Sequence, residues 1–108
     1  MSFLTLASQK SLFTLKKAQL QFEWTVQMNR YNALNRQAAD YANSMDDDWE
    51  ADEDPLYIAL QKEEEFYQLQ ADSLKSQIDV MDQEINNMKT MVQNDLKSSC
   101  ALNLVGGG

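Results

Sequence analysis

Carboxylates are the residues set closely enough in this chain to do chemistry. Asp46-Asp47-Asp48-Trp49-Glu50-Ala51-Asp52-Glu53-Asp54 holds seven acids in nine residues, and Glu63-Glu64-Glu65 follows soon after. Acids at alternate positions from Asp46 are what a calcium loop uses, because a hard cation collects oxygen ligands. Such a loop turns on a Gly at its sixth place and closes with a bidentate Glu at its twelfth, and here those places are Ala51 and Tyr57. A dinuclear carboxylate bundle needs Glu-x-x-His pairs, and the chain contains no His. The same absence excludes Ser-His-Asp and Cys-His triads and Cys/His zinc sites. Cys100 is the one cysteine, so no intrachain disulfide framework exists. The expectation is therefore no catalytic residue, no metal ligand, no cofactor and no enzyme. The two acidic runs read as a hydrated corner and a solvated helix start. Trp49 within the corner either folds back on the chain or touches a partner.

Composition narrows the partners. Seventeen acids against nine bases give a net charge of −8, which argues against a nucleic-acid duplex. Three Gly and one Pro in 108 residues are too few for the turns of an all-β protein. No segment approaches the roughly 18 continuous apolar residues of a membrane span. Met1–Ala7 is apolar, but Lys10, Lys16 and Lys17 follow it where a signal peptide would carry its charge in front. The expected origin is cytoplasmic without a cleaved signal, and the expected destination is extracellular or virion-associated if the chain is an assembly subunit. Gly106-Gly107-Gly108 reads as a flexible end.

Two long helices must carry these features. Asp54-Pro55 has the form of a helix start, with Asp as N-cap and Pro at the first helical position, where its missing N–H costs nothing. From there to about Lys97 no Gly or Pro intervenes. The spacing alternates four and three, which is a heptad seam. Glu64, Ala71, Ile78, Ile85 and Val92 stand at a, and Leu60, Tyr67, Leu74, Met81 and Met88 at d. In the first half Phe13, Leu20, Trp24, Tyr31, Leu34, Ala38, Tyr41 and Met45 share one face. The reading is all-α: helix one over about 5–45, an acidic corner at 46–54, helix two over 55–97, and an apolar tail with a Gly end over 98–108. These make a single unit over residues 1–108, an antiparallel helical hairpin or coiled coil, oligomeric. Leu20, Trp24 and Tyr31 would pack against Leu74, Ile78, Met81 and Ile85. Long helices pairing between chains would satisfy the same heptads.

A second apolar face remains once the seam is filled. Leu4, Leu12, Leu15, Phe22 and Val26 form a stripe roughly 130° round helix one, and beyond Val26 that face turns polar. Ile58, Phe66, Leu69, Val80 and Met91 lie off the seam of helix two. The tail adds Leu102, Leu104 and Val105. A two-helix hairpin covers one side of each helix only, and a large apolar patch left in water marks an interaction site. The expected assembly interface is thus Leu4, Leu12, Leu15, Phe22, Val26, Leu102, Leu104 and Val105. A compact monomer with its ends folded over the stripe is the other solution.

Charge is also polarised. Residues 1–45 carry five bases and two acids, residues 46–72 one base and eleven acids, and residues 73–108 three bases and four acids. A hairpin of about this length, turning just before Pro in Asp54-Pro55-Leu56-Tyr57-Ile58-Ala59-Leu60-Gln61, resembles the needle and filament subunits of type III secretion systems. The terminal coiled coils of flagellins are similar. Needle subunits are usually shorter, with neither the seven-acid corner nor the Leu102–Gly108 extension. The resemblance implies a structural subunit that builds a helical filament or needle-like polymer, apolar face buried and acidic corner outward. The alternative is a small helical binding module, such as an export chaperone, adaptor or phage assembly factor, that docks a partner helix. The expected partner is another copy of the chain or another helical protein.

Overall fold

The computed structural model describes the backbone of residues 3–106 and the side chains of residues 4–98. Helix α1 spans Phe3–Asn43, 41 residues, and helix α2 spans Pro55–Gly106, 52 residues. A single 3-10 turn, Ala51–Glu53, lies between them, and there is no strand among the described residues. Neither helix has an interior Gly or Pro, so nothing interrupts the backbone ladder. Within the helices Thr14, Thr25 and Thr90 donate their hydroxyls to the carbonyls of Lys10, Gln21 and Asn86.

The apolar tail expected at 98–108 needs correction. α2 does not stop near Lys97 but continues to Gly106. The cause is local: Ala101, Leu102 and Leu104 are good helix formers, and the first helix-breaking residue after Pro55 is Gly106 itself.

The chain divides into two units. The terminal unit joins α1 up to Leu20 with α2 from Gln77 onward, and the corner unit is Gln21–Ser76. The corner unit is an antiparallel helical hairpin. Asn35 donates from Nδ2 to Glu64 Oε1 at 3.0 Å, and Lys75 Nζ lies 6.0 Å from the centroid of the Trp24 ring. The residue numbers of each pair total 99, so the strip of contacts runs in one constant register. Arg30 stands over Tyr67 at 5.6 Å, two residues off that register. Ala38, Leu60 and Ala71 are its buried residues. The terminal unit keeps the same register by itself, with an ion pair between Lys17 and Asp82, and buries Leu6 and Leu20.

Heptad rows set what is covered. On α2 the row from Tyr57 to Asp95, stepping by three and four, contains no exposed residue. On α1 the equivalent row from Leu6 to Tyr41 contains none either. Of the expected seam, Leu20 is buried and Trp24, Tyr31, Leu74, Ile78, Met81 and Ile85 are half-buried. The α1 row also includes Lys10, Lys17 and Gln27, all half-buried. Two helices shield each other on one side only, so most seam residues keep an open flank.

Ala71, 1 % exposed, has no room for a larger side chain. Ala71→Leu should cost about 1–3 kcal/mol by overpacking. Urea unfolding followed by circular dichroism measures this, and an unchanged midpoint would place position 71 outside the helix contact.

Candidate assembly surface

Two features stand out from the pair of helices: the corner that joins them and the stripes they leave uncovered. The corner is organised by one carboxylate. Asp54 Oδ1 accepts the backbone N–H groups of Leu56 at 2.9 Å and Tyr57 at 3.3 Å, which is the N-cap of α2. Its Oδ2 accepts the Tyr41 hydroxyl at 2.5 Å and the Trp49 indole Nε1–H at 2.9 Å. The Asp54 carbonyl takes the N–H of Ile58 at 3.0 Å. One residue thus ties the end of α1, the connecting loop and the start of α2.

Three rings close over this knot. Trp49 meets Tyr57 edge-on with centroids 5.0 Å apart and Tyr41 at 6.2 Å, while Tyr41 stacks on Tyr57 at 6.4 Å. Of the two roles open to Trp49, the structure shows the fold-back. The other acids of the corner, Asp46, Asp47, Asp48, Glu50, Asp52 and Glu53, are exposed. Among the described residues no three His, Cys, Asp or Glu side chains converge as a metal site would require.

The uncovered stripes are the second feature. Leu4, Leu12, Leu15 and Phe22 are 75, 63, 67 and 71 % exposed. Val26, placed in the same stripe by its spacing, is half-buried. Leu102, Leu104 and Val105 lie outside the described side chains. On α2 Phe66, Leu69 and Val80 are 54, 61 and 51 % exposed. In heptad terms Leu12, Leu15, Phe22 and Val26 occupy c and f positions of α1, and Phe66, Leu69 and Val80 occupy c and f of α2. These positions lie about 155° round from the a/d seam, almost opposite it. Met91 is exposed beside the α2 stripe, Leu96 is exposed next to the seam, and Ile58 is half-buried. No described helix is long and apolar enough to cross a membrane.

No family model, curated protein or solved structure matches this chain.

The corner makes stability depend on pH at both extremes. Hydrogen bonds from Tyr41 and Trp49 hold the Asp54 carboxyl below the usual carboxylate range, and the same bond to Asp54 pushes the Tyr41 phenol above its usual value. A lowered acid stabilises the fold fully above the ordinary carboxylate range and loses that contribution as pH falls through the lowered value. A raised phenol contributes fully below the ordinary phenol range and loses it as pH rises through the raised value. In a Trp24→Phe background, Trp49 emission should hold steady through the ordinary carboxylate range and shift to the red only in stronger acid. Asp54→Asn should remove that acid transition. A shift centred where free aspartate titrates would mean that the knot does not form.

Proposed function

We infer that this chain is a structural subunit that assembles with copies of itself, burying the outer stripe of α1 and leaving the acidic corner in water. One observation carries the reading: large apolar groups on the outer side of α1 stay exposed among the described residues. Leu12, Leu15 and Phe22 each remain more than 60 % exposed. Burying such a side chain is worth about 1.5–3 kcal/mol, so their exposure in a lone molecule forfeits a large part of what a small helical unit can gather.

The corner supports the same orientation. Its exposed acids would repel if copies met there, whereas hydration and salt tolerate them at an outer rim. The resemblance to needle and filament subunits supports the same reading. A small binding module remains the competing description. It would use the α1 stripe to grip one partner helix.

A concentration series by sedimentation velocity separates the two. Growth into larger species with concentration supports the subunit, while a fixed small oligomer supports the module. Leu15→Glu with Phe22→Glu should abolish assembly and leave helicity intact, because neither residue touches the a/d seam. If the double variant loses its helix signal, the stripe is monomer core. Neutralising Asp46, Asp47 and Asp48 to Asn should preserve assembly and reduce its dependence on salt. A loss of assembly in that variant would place the corner inside the interface.

A further inference from the structure

The outward faces of the two helices match in a way that neither shows alone. On α1 every c and f position from Thr5 to Ala33 is uncharged, and the next, Arg36, is charged. On α2 every c and f position from Phe66 to Asn94 is uncharged, bounded by Lys62 before and Lys97 after. The stripes are level in the register that each unit already uses: Thr5 with Asn94 and Ala33 with Phe66 both total 99, as do Lys17 with Asp82 and Asn35 with Glu64. The charged residues of both helices over these lengths are confined to the other heptad positions.

The rims differ in sign. Beside the α2 stripe stand Glu65, Asp72 and Asp79 on one side and Glu63 and Glu84 on the other. Beside the α1 stripe stand Lys16, Glu23 and Arg30 on one side, and no charge at all on the other. Two α2 faces brought together would set acid against acid. An α1 face laid antiparallel on an α2 face in the native register sets Lys16 one residue from the level of Glu84 on the same rim, and brings Asp72 and Asp79 within two residues of the uncharged Thr25 and Ala18 on the other. No like charges meet.

Resting on the reading of the chain as a self-assembling subunit, we propose that the occupant of the α1 stripe is the α2 stripe of a second copy. The interface is then heterologous: each molecule presents one face and receives at the other. A contact of this kind leaves a free face at each end of any assembly, so it grows into rings or open helical polymers and does not stop at a dimer. It also covers both uncharged stripes, whereas an isologous pairing through α1 leaves Phe66, Leu69 and Val80 in water.

The test uses two blocked variants of the full chain. Leu15→Glu with Phe22→Glu closes the α1 face, and Phe66→Glu with Val80→Glu closes the α2 face. Neither should grow beyond a monomer alone. Mixed in equal amounts they should form a 1:1 complex that grows no further, because each supplies the face that the other lacks. If the α2 variant alone assembles like the parent and the mixture yields no complex, the contact is isologous through α1 and this proposal fails while the self-assembly reading stands. If the parent chain is monomeric at every concentration, the self-assembly reading itself fails. Should a Glu pair unfold its helix, Gln19→Lys and Gln83→Lys block the same faces at exposed polar positions. A charge exchange between the two blocked chains gives an independent readout: Lys16→Glu in the chain with the blocked α2 face should weaken the complex about tenfold, and Glu84→Lys in the chain with the blocked α1 face should restore it. Equal weakening by both, without rescue, would overturn the register.

Discussion

A helix with one neighbour can hide only one of its sides. The rest of this structure follows from that constraint. α1 and α2 each spend their a and d positions on the other, and rows of residues from Leu6 to Tyr41 and from Tyr57 to Asp95 withdraw from water as a result. Small side chains at Ala38 and Ala71 let the helices of the corner unit approach closely. Opposite the seam Leu12, Leu15, Phe22, Leu69 and Val80 stay exposed. Natural surfaces put charge in such places, yet here charge is held to the rims and the centre is apolar or neutral over matching lengths of both helices.

Much of the fold was legible because heptads are periodic and helix breakers are few. The Asp54-Pro55 start reads directly from side-chain chemistry, and the α2 seam from its unbroken steps of four and three. The α1 seam was legible only in part. The reading followed apolar residues and passed from Phe13 to Leu20 and from Trp24 to Tyr31 in strides of seven. Lys17 and Gln27 sit at the skipped steps, and Lys10 extends the row toward Leu6. Their polarity concealed them, although the strides of seven marked their places. The end of α2 was missed for a different reason: nothing in Ser98–Val105 stops a helix, and apolar character was mistaken for a change of structure. For Trp49 the fold-back was one of two readings, and its partners Tyr41 and Asp54 could not be read, since they meet it only after the chain turns.

Lys17, among those polar seam residues, has a physical use. An apolar seam between two long helices tolerates slippage, because one turn of offset exchanges one apolar neighbour for another. A Lys at an a position narrows the choice. Lys17 meets Asp82, and in the corner unit Asn35 meets Glu64 with Lys75 beside Trp24. Each is worth little as an exposed contact. Each marks the register within its own unit: Lys17 with Asp82 in the terminal unit, and Asn35 with Glu64 and Lys75 with Trp24 in the corner unit.

The four donors on Asp54 also bear on the durability of the covalent chain. An aspartyl–prolyl bond is unusually labile in acid, because the side-chain carboxyl can attack its own main-chain carbonyl while the proline nitrogen takes up a proton and departs. That attack needs a carboxyl free to swing toward the carbonyl. In the folded corner both carboxyl oxygens are engaged, by Leu56 and Tyr57 on one side and by Tyr41 and Trp49 on the other, and the carbonyl oxygen is held by Ile58. The bond that separates the two helices is therefore shielded for as long as the knot stays tied. Scission there becomes a chemical record of unfolding, splitting the chain into one fragment for each helix.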